Sequence, residues 1–268
     1  MMFVRLTIPL VLLSLMLIFC VAVAELLRRK STSKTSSPPK EAKAKVRTTA
    51  GKGEGLGTYT ADPNGPGRDR VVYATDDFVV IRDLFPKSTV HLLILPRDTE
   101  KQLLYPQDAF DDVDFLRKCR QEERKVRAMV AEELRRRFGN DSKKEKERLA
   151  AMEKEDPPDD FELPHGRDWS DGVMSGTHAN PSMAHLHIHV MSRDMCGPSM
   201  KKSSHYQSFT TAFLIDLEQF PLSEDDYRRD YNWLKKNLLC WRCGRDFGRS
   251  FTKLAAHLKN ELENWKQE

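Results

Sequence analysis

Apolar positions along the chain change spacing several times, and each change predicts an element. Val71-Val72-Tyr73 and Phe78-Val79-Val80-Ile81 are short β-branched and aromatic runs around a turn at Thr75-Asp76-Asp77, which predicts paired strands. After the loop Arg82-Asp83-Leu84-Phe85-Pro86-Lys87, His91-Leu92-Leu93-Ile94-Leu95 reads as the next strand, stopped by Pro96. Together these make an antiparallel meander. From Asp108 to Phe138 the spacing turns helical, with Phe110, Val113, Phe115, Leu116, Val126, Met129, Val130 and Leu134 on one face and Gly139 as the stop. Its Arg- and Lys-rich outer face reads as solvated. Residues 140–160 are charged and poor in apolar residues, which predicts a mobile helical excursion ending at Pro157-Pro158. His185 to Met191 alternates histidine with aliphatic residues, the period of a half-buried strand. Asp225 to Leu239 reads as a helix, and a last helical pattern begins at Thr252.

The N-terminal part follows no such pattern. Leu6 to Ala24 is an uncharged apolar run, flanked by Arg5 and by Arg28-Arg29-Lys30, and its length suits a bilayer span of about 20 residues. It reads as a signal-anchor, a cleaved signal ending at Ala22-Val23-Ala24, or a stretch upstream of the usual start. Residues 25–68 are rich in Lys, Ser, Thr, Pro and Gly and read as a disordered basic tether. The expected organisation is therefore 1–24, 25–68, a folded domain over 69–222, and a helical C-terminal unit over 223–268. The net charge of +4 is small but clustered, which admits a polyanionic partner. Five cysteines, scattered except for one C-x2-C pair, do not suggest a secreted disulfide framework.

Strand geometry puts His185, His187 and His189 in a row on one face, with Leu186, Ile188 and Val190 turned into a core. Imidazoles near neutral pH can ligate a metal or attack an electrophile, and the spacing alone leaves both open. Elsewhere, His91 and His165 read as structural.

His-x-His-x-His followed by two apolar residues resembles the signature of the histidine-triad superfamily. Ile81-Arg82-Asp83 to Leu95-Pro96, His178 through Met183 and the C-terminal finger narrow the resemblance to the aprataxin family in its fungal form. It covers the chain from about residue 69 onward. The implied fold is α+β, a histidine-triad antiparallel sheet with packed helices, followed by a small C2HE zinc finger. The implied activity is hydrolysis of 5′-adenylated DNA ends, with nicked or broken double-stranded DNA as partner, AMP as product and the nucleus as location. A membrane would be a partner only through residues 6–24. The competing readings are a general nucleoside phosphoramidate or dinucleotide hydrolase and a non-catalytic nucleic-acid-binding module.

By the same resemblance His187 is the nucleophile, flanked by His185 and His189, and His178 assists the leaving group. Asp83 is expected on the ribose, Leu84 and Phe85 beside the base, Lys87 near a nucleic-acid phosphate, and Ser182 and Met183 at the reacting phosphate. The family has a lysine immediately before the histidine-aromatic pair. Here Ser204 precedes His205-Tyr206, so Lys201 or Lys202 is expected to supply that charge.

Cys240-Trp241-Arg242-Cys243 makes a tight thiolate turn, and His257 and Glu261 lie one helical turn apart. Two thiolates, an imidazole and a carboxylate suit one structural zinc ion in a closed tetrahedral site. Arg242, Arg245, Arg249, Lys253 and Lys259 are expected on the finger's phosphate-facing surface.

Overall fold

A computed structural model describes residues 54–268, apart from 157, 160, 161 and 231–235. The apolar run 6–24 and residues 25–53 of the expected tether lie outside the described residues. Among the described residues no helix is long and apolar enough to cross a membrane.

In chain order the elements are α1 (Gly57–Ala61), β1 (Val71–Ala74), β2 (Phe78–Arg82), β3 (His91–Pro96), α2 (Pro106–Ala109), α3 (Val113–Phe138), α4 (Lys143–Met152), β4 (Val173–His178), β5 (Ile188–Ser192), α5 (Ser203–Thr210), β6 (Leu214–Ile215) and α6 (Phe251–Lys266). The strands form one sheet in the order β1-β2-β3-β5-β4-β6, with every neighbouring pair antiparallel.

Both faces of the central strands are buried, which is why β2 and β3 are continuous apolar runs. Phe78, Val80, Leu92, Ile94, Ile188 and Val190 face the main core beneath α3, whose Leu116, Val126, Val130 and Leu134 form the matching stripe. Burying each of these side chains contributes about 1.5–3 kcal/mol. Val79, Ile81, Leu93 and Leu95 face the other way and are covered by Leu56. Further along that second face, Met191 packs with Tyr206, Leu238, Leu254 and Leu258 of the C-terminal region. The imidazoles lie between these two covers.

Four expectations are corrected. Order begins before residue 69: a 3-10 turn at Glu54–Leu56 runs into α1, and Leu56 is buried on the sheet. One apolar residue in a Gly- and Thr-rich stretch makes that cover, too weak a pattern to read. The helical stretch from Asp108 is broken, because the Asp112 carboxylate accepts from the amides of Asp114 and Phe115 and starts α3 afresh.

The charged insertion is no excursion. Ser142 caps α4, and buried Glu145 accepts from Trp169 Nε1 at 3.0 Å and from the Arg167 amide at 3.3 Å. Asp225 to Leu239 is not a helix where it is described. Tyr227–Asp230 is a 3-10 turn, and Leu238 donates its amide to the Gly248 carbonyl and accepts from the Phe247 amide, which holds it extended along the finger loop.

Candidate active site

β5 pairs with β3 and β4, setting Leu93 and Gly176 opposite His189. His187 Nδ1 lies 2.7 Å from the backbone carbonyl of His185, an oxygen that can only accept. The proton is therefore on Nδ1, and Nε2 of His187 carries a lone pair. The Thr177 hydroxyl donates to the His187 carbonyl at 3.2 Å and fixes the backbone beneath that ring.

A cavity of about 450 Å³ opens over the row. His178, His187 and His189 line it, with ring centroids of His178 and His187 at 4.6 and 4.9 Å from His189. Asp83, Phe85, Lys87, Ser182 and Met183 line it too, so the structure brings these expected site residues together. It does not bring the others. Leu84 lies on the opposite side of the β2–β3 loop, because alternate residues of that loop face different cavities. Lys201 and Lys202 are exposed at the start of α5 and do not line the cavity. His185 is buried under the N-terminal segment, where a Cβ on Gly57 would meet its ring at 2.5 Å.

His91, read as structural, belongs to the site. Its Nε2 pairs with His189 Nδ1 at 2.9 Å, and the Lys87 amide donates to its Nδ1 at 3.2 Å. With Nδ1 accepting, Nε2–H of His91 donates to His189, whose own proton then sits on Nε2. That Nε2 has no partner among the described residues, and neither has Nε2 of His178. The Asp83 carboxylate lies 3.2 Å from His91 Nδ1 and accepts from the Phe85 amide. Asp83, His91 and His189 are close enough to suggest a metal, but His91 spends one nitrogen on each side, so they form a line rather than a cage.

Burial, reinforced by neighbouring positive groups, pushes His178 down to about 3 and His189 well below the usual histidine range. Burial also takes His91 down to about 4, against the pull of Asp83. His91, His178 and His189 are therefore neutral rings at pH 7.

Sequence reasoning also missed Phe209 and Phe213. Phe209 sets its edge against His91 and His189, and Phe213 lies 5.0 Å from His178. His205 lines the cavity beside Ser204 and Ser208, while Tyr206 turns into the C-terminal cluster. The histidine-aromatic pair His205-Tyr206 is the sequence signal that marks His205.

In the finger, α6 stacks His257 and Glu261 beside the Cys240–Cys243 turn. Cys243 Sγ and Glu261 Oε1 each lie 3.2 Å from His257 Nε2, and all four ligand atoms fall within 4.8 Å of one another. Zinc bonds of about 2.0–2.3 Å give tetrahedral edges of about 3.3–3.8 Å, so this donor set fits the ion. The second carboxylate oxygen accepts from Arg242, which also binds Glu268. Arg242 is thus committed inside the finger and is not a free phosphate contact.

Comparison with known proteins agrees with this geometry. Residues 66–195 match the HIT domain, and residues 210–264 match the C2HE / C2H2 / C2HC zinc-binding finger. An aprataxin-like protein of Schizosaccharomyces pombe is 34% identical over 73% of this chain and 75% of its own. One from Saccharomyces cerevisiae is 33% identical over 78% and 95%. The crystal structure of the aprataxin ortholog Hnt3 in complex with DNA superposes with a TM-score of 0.59 at 28% identity, covering 78% of this chain and 94% of that one. Fold and site define a HIT-domain protein that carries a zinc-binding finger. The chain belongs to the aprataxin-like family.

Proposed function

We propose that this protein removes AMP from 5′-adenylated DNA ends left by abortive ligation, restoring a 5′-phosphate that a ligase can seal. One observation carries the reading: the His185 carbonyl holds the His187 proton on Nδ1, leaving a nucleophilic Nε2 at the cavity. Hnt3 has been solved with DNA, and separately with DNA and guanosine, which supports a nucleic-acid end and a nucleoside as occupants.

His187 Nε2 attacks the adenylate phosphorus. A P–N bond forms, the bridging P–O bond breaks, and the DNA 5′-phosphate leaves. Water then attacks the same phosphorus, the P–N bond breaks, and AMP departs with the oxygen of water. His189, donating from Nε2, stabilises charge on the phosphoryl oxygens. The leaving phosphate is weakly basic, so a hydrogen bond from neutral His178 suffices. Asp83 holds the ribose, Phe85 borders the base, and Ser182, Met183 and Lys87 flank the phosphates. Lys201 and Lys202, exposed outside the cavity, meet the DNA backbone beyond it in this reading. Cys240, Cys243, His257 and Glu261 hold one zinc ion as a structural unit, and Arg245, Arg249, Lys253 and Lys259 offer its exposed charge to phosphates. Such chemistry belongs in the nucleus.

Turnover of radiolabelled adenylated nicked DNA tests this. His187→Ala should lose at least about a thousandfold in rate, and brief acid quench of the wild type should trap labelled AMP on the protein. Full turnover by His187→Ala would refute the covalent route. Hydrolysis of dinucleotides far faster than adenylated DNA would favour the general hydrolase instead.

A further inference from the structure

Behind the β2–β3 loop lies a second concavity of about 630 Å³, larger than the one over the triad. Its floor is aliphatic: Val72, Leu92 and Met129, with Leu84 at the mouth. Leu84 and Met129 are 51% and 37% exposed, and large apolar side chains left open to water in one concavity mark a binding surface.

Arginines rim it. Glu133 is held by Arg136 at 2.7 Å and by Arg137 at 2.6 Å, so its charge is already neutralised. The Arg70 guanidinium has no partner among the described residues, and Arg82 reaches only the Asp69 carbonyl, at 3.4 Å. Four arginines against the carboxylates of Asp83 and Glu133 leave the groove net positive around an apolar floor.

We infer that this groove docks an acidic peptide segment of a partner protein, seating an aliphatic side chain on the floor between carboxylates on the arginine rim. Charge complementarity selects the occupant. The chain's own basic N-terminal stretch has the wrong sign. Single-stranded nucleic acid fits less well, because no Phe, Tyr or Trp lines the groove to stack a base. The two cavities open on opposite sides of one loop, with Asp83 alone common to both linings, so a peptide here leaves the triad open to DNA.

The test uses the full chain and fluorescent octapeptides of alternating Asp and Glu with Leu or Gln at the centre. The Leu peptide should bind at least about tenfold more tightly than the Gln peptide. It should remain bound when nicked DNA is added, and lose at least about tenfold in affinity in Arg70→Glu/Met129→Glu, whose melting temperature and hydrolysis of adenylated DNA should match the wild type. Equal binding of the two peptides would mean diffuse charge attraction, and displacement by DNA would place the peptide on the DNA surface. Absence of binding at millimolar peptide, or DNA affinity lost in the double variant, would also overturn the proposal. In the last case the groove would be a nucleic-acid path.

Discussion

His91 comes within 2.9 Å of His189 through the pairing of β3 with β5, although the two are far apart in sequence. In the proposed reaction its service is indirect, since it holds the His189 proton on Nε2, the nitrogen assigned there to the phosphate. His91→Ala should therefore slow turnover of adenylated DNA by about 10–100-fold, as loss of a supporting hydrogen bond does at other tuned histidines, while DNA affinity changes less than about twofold. An unchanged rate, or a fall explained wholly by weaker binding, would count against the relay. The buried rings have a second consequence. His178, His91 and His189 stay neutral when folded, whereas unfolded histidines take up protons near pH 6.5. Nothing is lost above that pH. As pH falls from 6.5 towards 4, the unfolded chain binds more protons than the folded one, and each such ring lowers stability by about 1.4 kcal/mol per pH unit. Urea midpoints should accordingly drop steeply between pH 7 and 5, and less so in His178→Phe.

Among the elements, those with a strong period were legible and those held by a single side chain were not. Alternation in β5 and continuous apolar runs in β2 and β3 announced the sheet, and the C-x2-C turn with His257 and Glu261 announced the finger. His91 escaped because its partner is a product of strand register, which local spacing does not encode. The insertion escaped because its anchor is a carboxylate: buried Glu145 is indistinguishable in sequence from the solvated charges beside it. Glu145→Ala leaves Trp169 Nε1 and the Arg167 amide without their acceptor, and unfolding should cost about 1–3 kcal/mol less. The finger invites a sharper experiment. Arg242 holds the outer oxygen of Glu261 and keeps that carboxyl below its ordinary range. Arg242→Gln should weaken zinc binding by about 10–100-fold, read by competition with a chromogenic chelator. In a Glu261→His background, where no outer oxygen remains, the same change should have almost no effect.

At the scale of the molecule, finger and sheet are not separable parts. Trp265 of α6 is 4% exposed in the main core, where it meets Phe138 and Trp169, and Arg167 stacks between Trp169 and Trp265. The Tyr206 hydroxyl donates to the Leu239 carbonyl and accepts from the Trp241 amide, which joins the two again. Trp265→Ala should cost about 3–5 kcal/mol in global stability, seen as one shifted melting transition rather than loss of a separate finger transition. Deleting residues 239–268 would thus confound folding with DNA affinity, and charge changes at Arg245 and Lys253 separate them.

Gly57 carries a lesson about reading natural variation. It sits in a stretch of Gly and Thr that composition would class as filler, where an exchange to serine or alanine looks harmless. Yet the space a side chain would need there is already filled by the imidazole of His185. A carrier of such a variant would make a protein with every triad histidine intact and a displaced ring beside the proposed nucleophile, a change that the list of triad residues alone would not reveal.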